Sequence, residues 1–255
     1  MVSAPPFKGA ICTMTKTESS ALAAEQLSAP GGADTLHDKL ARWAREFHRS
    51  SGEEWANAGT HLAGVVFGIF ALTYMLVITS QQGDPRKIVS AAIYGSTLVI
   101  LYTFSCLYHL IWKWNVKAAF QVMDHISIYL LIAGSYTPYT LVTMKDSPAG
   151  WISFGIAWGL ATLGILSEVL LKPRREWLAC TITLLLGWHI VLFFKILCAF
   201  ISTLGLVMVI VGGAVYSIGV AFYVCDRTPY MHTVWHCFVL GGTICQWVSI
   251  TFGVF

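Results

Sequence analysis

Charge is what this sequence has least of. Asp, Glu, Lys and Arg make up 11% of its 255 residues, against about 25% in an ordinary soluble domain. Hydrophobic residues make up 56%, and the mean hydropathy is +0.67. A soluble monomer of this size could not hide so much apolar surface. That excludes a soluble enzyme, a disordered protein and a nucleic-acid binder. The net charge of +3 is too small to argue for an anionic partner. A cysteine framework is also missing. The 7 cysteines are odd in number, no CxxC occurs, and all but Cys12 lie in or beside apolar runs, as buried small hydrophobes do. The first residues, MVSAPPFKGA, lack the apolar core of a signal peptide.

Long uncharged runs are present instead. A membrane span needs about 20 apolar residues. Seven stretches qualify: 56–83, 88–112, 125–144, 147–167, 177–194, 196–225 and 228–255. They are continuous rather than alternating, which excludes a β-barrel. The expected fold is all-α, a polytopic seven-transmembrane helical bundle over residues 51–255. Residues 1–34, rich in Ala, Ser, Thr, Pro and Gly, read as a disordered tail. Over residues 35–50, Leu36, Leu40, Trp43 and Phe47 form an apolar stripe beside Lys39, Arg42, Arg45 and Arg49. That pattern suits a helix on a membrane surface, or one packed on the protein's own cytoplasmic face. Two small-residue ridges, Gly64-x3-Gly68 and Gly155-x3-Gly159, would allow close helix contact.

Lys and Arg set the orientation. With the N-terminus cytoplasmic, the inner segments hold the four basic residues of 35–50 together with Lys113, Lys117, Lys172, Arg174, Arg175 and Arg227. The outer segments hold only Arg86, Lys87, Lys145 and Lys195, the last being the sole charge between the fifth and sixth runs. Tyr108, Trp112, Trp114, Trp151, Trp177 and Tyr230 lie near span ends, the usual interfacial belt.

Ionisable groups inside a bilayer are costly and need a reason. His109 ends the second run, Asp124 starts the third, His232 and His236 start the seventh, and His61 starts the first just past Glu53 and Glu54. All lie at the cytoplasmic end of their helices, so four helices deliver them to one layer. His232 and His236 are four apart and project from one helix face. With His109 they make three imidazoles plus an open position, the pattern of a catalytic zinc site. Asp124 reads as a partner that holds a bound water or takes its proton, not a fourth ligand. Ser105, one turn from His109, could orient a water or steady an oxyanion; the alternative is a hydroxyl bonded back to its own helix. Glu53, Asn57 and His61 share a face as i, i+4 neighbours, either a polar latch beneath the site or a solvated helix start. His125 points about 100° away from Asp124 and reads either as structural or as a support behind the site. His189 reads as a satisfied core histidine, and Glu168 as the partner of Lys172.

Five blocks then carry a resemblance: EEWANAGTH at 53–61, SCLYH at 105–109, MDHISIYLLIAGSYTPYTL at 123–141, GGAVYSIGVAFY at 212–223 and HTVWHCFVLGG at 232–242. Together, and in this order, they resemble the hemolysin III / progestin-and-adipoQ-receptor (PAQR) family, most closely its hemolysin III branch. The resemblance implies zinc on His109, His232 and His236, with Asp124 holding water and Ser105 beside it. It also implies a lipid amide as substrate, through the superfamily's ceramidases. Many members carry another His late in the seventh helix, where this chain has Gln246.

Three functions are thus open for this multi-pass membrane protein. One is a ceramidase-like zinc hydrolase of lipid amides. Another is a receptor or regulator in which zinc staples helices together. The last is a pore or lytic protein, disfavoured because no run carries a continuous polar stripe. Plasma membrane and endomembrane are not distinguished.

Overall fold

The structure, a computed structural model, describes residues 50–255 apart from 172–173 and 226–227. The expected tail at 1–34, and all of the 35–50 helix but Ser50, lie outside the described residues. So do Lys172 and Arg227 of the charge count.

The described chain forms α1 (Ser51–Gln82), α2 (Pro85–Leu110), α3 (Trp114–Pro138), α4 (Pro148–Leu170), α5 (Glu176–Trp188), α6 (Phe194–Phe200), α7 (Thr203–Val224) and α8 (Met231–Gly253). A π-helical turn, Tyr139–Thr143, prolongs α3, and a 3-10 turn, His189–Phe193, joins α5 to α6. Among the described residues, 7 stretches are long and apolar enough to cross a membrane, with α5 and α6 forming the fifth together. The protein is a multi-pass membrane protein with an all-α fold.

Local chemistry sets the helix ends. Ser50 caps α1 in a reciprocal box with Glu53, which satisfies two orphan donors. Gly83 closes the helix at φ 71, a left-handed geometry that glycine takes without a Cβ penalty. Asp84 and Ser147 cap α2 and α4, each with Pro at the first helical position. Ser202 caps α7 by accepting from the Gly205 N–H.

That last cap corrects the expected boundary between the fifth and sixth spans. Lys195 lies inside α6, and the chain breaks at Ile201–Ser202. The apolar run continues across the break, so hydropathy alone misplaced the turn. The fifth span is itself interrupted at His189, where freed backbone groups find partners. Leu186 O accepts from His189 Nδ1 at 2.7 Å, and Gly187 O accepts from the Tyr136 hydroxyl. Non-helical backbone at membrane depth persists where protein groups satisfy it in this way.

Packing orders the bundle. A Cβ at Gly64 would stand 2.1 Å from the Tyr102 ring, so the α1–α2 contact requires glycine there. Gly205, Gly212 and Gly219 form a ridge on α7 against α8, facing Gly253, Gly242 and the Trp235–Phe238 turn. Gly155 and Gly159, by contrast, are exposed and meet nothing within 4 Å. The expected second ridge packs against none of the described residues. The outer surface is apolar, with Leu62, Val66, Leu163 and Leu192 exposed. The interior holds hydroxyls that satisfy one another. Tyr102 donates to Thr243 at 2.8 Å, and Tyr139 donates to Gln246 at 3.0 Å and Ser249 at 2.8 Å.

Candidate metal centre

The starts of α1, α3 and α8 and the ends of α2, α4 and α7 share one end of the bundle. His109 sits one residue before the end of α2, and His232 and His236 occupy successive turns at the start of α8. All three are buried, and one nitrogen from each lies within 4.8 Å of the others. Ring centroids are 5.4 Å apart for His109–His232, 5.0 Å for His109–His236 and 4.6 Å for His232–His236. Three imidazoles that meet below the surface form a group that could hold a metal ion.

Hydrogen bonds choose the tautomers. His109 Nδ1 lies 2.6 Å from Glu54 Oε2. A carboxylate only accepts, so the proton is on Nδ1 and coordination falls to Nε2. His236 Nδ1 lies 3.3 Å from the Asn57 carbonyl oxygen, which also only accepts. Thr60 Oγ1 is equally close, but it donates to the same carbonyl at 2.8 Å, so the proton is on His236 Nδ1 and Nε2 is the nitrogen that could coordinate. The carboxylate–histidine pairing is the usual way a ligating imidazole is aimed and its basicity raised. The donor set and its partners therefore fit a divalent ion.

Glu54 is held in turn. Its Oε1 accepts from Lys117 Nζ at 3.2 Å, and Lys117 also donates to Tyr108 O at 3.0 Å and lies over the Tyr108 ring. One carboxylate thus links α1, the end of α2 and the start of α3. The sequence placed Glu54 near the layer but gave no sign of this contact. Its partners His109 and Lys117 are 55 and 63 residues away, and no helical spacing relates them.

Glu53 and Asn57 tie α1 to α8. Glu53 Oε1 accepts from the Tyr230 N–H at 2.6 Å, and Asn57 Oδ1 accepts from Thr233 Oγ1 at 2.5 Å. Tyr230 has φ 62, uncommon for a residue with a side chain, and its N–H is pinned there by Glu53. His61 shares this face but makes no hydrogen bond among the described residues. Its ring stacks on His236 instead.

A cavity of about 120 Å³ opens beside the histidines. His61, Ser105, Asp124, His232 and His236 line it at that end, and Tyr136, Tyr216 and Gln246 line it deeper in the bundle. Leu101, Ile128, Leu131 and Val239 form part of the wall between. Asp124 and Ser105 thus line the same void as His61, His232 and His236. Trp188 and Ser217 close its side between the fifth and sixth spans with a 3.0 Å hydrogen bond.

The remaining titratable groups fall elsewhere. Glu168 is paired with Arg174, at 3.0 and 2.9 Å, and His125 Nδ1 lies 3.4 Å from it. Lys172 was the expected partner, but it lies outside the described residues. Arg174 also donates to the Tyr223 hydroxyl at 2.9 Å. His189 bonds Ser153 at 3.1 Å through Nε2 and Leu186 O through Nδ1. It is a satisfied core histidine, with a serine partner on α4 that the sequence did not disclose.

Comparison with known proteins supports the reading of the blocks. Residues 50–247 match the family model described as haemolysin-III related. The chain is 36% identical to Hemolysin-3 of Bacillus cereus over 202 residues, covering 79% of this chain and 92% of that protein. A Hemolysin-3 homolog of Bacillus subtilis is also 36% identical, over 78% of this chain and 93% of that protein. Monocyte to macrophage differentiation factor of Homo sapiens is 28% identical over 78% of this chain and 83% of its own length. The chain, with its seven spans and its buried histidine group, belongs to the haemolysin-III related family, within the wider hemolysin III / PAQR family.

Proposed function

We propose that the protein is a zinc-dependent hydrolase of lipid amides of the ceramide type. The observation that carries this is a single void. One end is lined by two of the three clustered histidines, a carboxylate and a serine, and much of the rest is apolar. Such a shape suits an amphiphile with a reactive polar group near the membrane surface. Three imidazoles with room for a tetrahedral fourth ligand favour zinc over harder divalent ions. When bound, that ion supplies a Lewis acid and lowers the pKa of a water to about 7.

The chain's own residues do the rest. Glu54 and the Asn57 carbonyl hold His109 and His236 in the ligating tautomer. Asp124 takes the proton of the attacking water. Ser105 donates to the carbonyl oxygen as charge builds there. The excess of Lys and Arg at this end of the bundle supports a cytoplasmic position for it. Purified protein should contain stoichiometric zinc and release fatty acid from ceramide, and His109→Ala should do neither. Metal-replete protein with no release above that variant would overturn the proposal.

A second reading treats the metal as a staple in a receptor or regulator. It is favoured by the ligands coming from α2 and α8, with Glu53 and Asn57 already fastening α1 to α8. Asp124→Ala separates the two: it should keep its metal and lose hydrolysis. Full biological activity in that variant would favour the staple. The name Hemolysin-3 of two relatives suggests a pore. Conductance in pure bilayers that vanished with a chelator would promote that reading.

A further inference from the structure

His61 lines the same cavity, and the hydrolysis described above gives it no task. Its residue is 4% exposed, and neither ring nitrogen has a hydrogen-bond partner among the described residues. The ring is nevertheless firmly placed. His236 stacks on one face with centroids 3.6 Å apart, and Tyr102 meets it edge-on at 5.2 Å. Tyr102 is fixed by its bond to Thr243, and it fits only because residue 64, one turn beyond His61, is glycine. Carbon contacts thus lock the ring while both polar atoms stay unengaged. A core histidine resembles His189, with both nitrogens bonded. Buried polar atoms without partners are rare and call for an explanation. Here the void beside the ring provides one.

We propose that His61 is a specificity-determining residue that accepts a hydrogen bond from the amide N–H of the cavity's occupant. A neutral imidazole carries one N–H and one bare nitrogen. The bare nitrogen needs a donor. A secondary amide provides one next to its carbonyl, whereas an ester of the same shape does not. The imidazole N–H donates to an oxygen of the occupant or to a water. A buried site made to bond an N–H discriminates against the analogue that lacks it, because the site's own atom is left unpaired. The inference rests on the lipid-amide reading and adds to it the selection of amide over ester.

The test is binding, which needs no turnover. Trp188 and Trp235 line the cavity, so a brominated acyl chain that enters it quenches tryptophan fluorescence. Three lipids of one chain length are titrated into the full chain in detergent: a secondary amide, its N-methylated form and the matching ester. The wild type should bind the secondary amide about 10- to 100-fold more tightly than the other two. His61→Phe, which keeps the stack but has no ring nitrogen, should bind all three alike. Equal binding of the three lipids by the wild type would overturn the proposal, with water alone satisfying the ring. Persistence of the preference in His61→Phe would do the same. If His61→Phe does not fold, His61→Leu carries the same expectation, and a preference that persists there overturns the proposal equally. An amide preferred but never cleaved would sink the hydrolase reading and leave this role of His61 standing. Cleavage of ceramide without any such preference would do the reverse.

Discussion

Glu54 shows how much one side chain can do in this bundle. Its two oxygens divide the work: one aims His109, and the other takes the charge of Lys117. Removing the charge should loosen the imidazole without removing a ligand. Glu54→Gln is therefore expected to weaken metal binding about 10- to 100-fold, read by competition with a chelator, while His109→Ala abolishes it. Unchanged affinity in Glu54→Gln would mean that the pair only packs. At this scale the sequence was legible in one respect. Depth along each helix singled out His109, Asp124, His232 and His236 because a membrane makes every buried polar group conspicuous. Partnership was not legible. Whether His61 bonds, stacks or ligates depends on where α2 and α8 lie beside it, and no spacing within α1 encodes that.

Among the helices, glycine decides which faces meet. Gly64 carries the Tyr102 ring and Gly159 faces open space. Gly64→Ala should overpack the α1–α2 contact and cost about 1–3 kcal/mol. Gly159→Ala should be neutral or stabilising by up to about 1 kcal/mol, through helix propensity alone. Thermal melts in detergent compare the two directly, and equal melting points would contradict the packing described. Helix existence was readable from hydropathy because seven long apolar runs leave little choice. Helix ends were less so. A charged residue, Lys195, drew the boundary of the fifth span seven residues before the Ser202 cap that sets it. The interruption at His189 left no mark in composition either, since its freed carbonyls are satisfied by Tyr136 and by His189 itself.

For the molecule as a whole, Arg174 is a knot. It binds Glu168 of α4 and Tyr223 of α7, and Glu168 also meets His125 and Tyr129 of α3. Arg174→Ala leaves Glu168, 2% exposed, with a buried charge and should cost about 3–5 kcal/mol. Adding Glu168→Gln should recover much of that loss in a thermal melt. Orientation is tested separately. With Cys12, Cys198 and Cys237 replaced by serine, Asp84→Cys should react with an impermeant maleimide on intact cells, and Glu176→Cys only after permeabilisation. The reverse pattern would invert the topology. The histidine group also has a history in time. His109 and His232 are 123 residues apart, so at about 5–20 residues per second the ribosome makes the second roughly 6–25 s after the first. During that interval the α1–α2 hairpin already contains Glu54. Its carboxylate gives His109 a partner inside the bilayer long before the helix that completes the site is made.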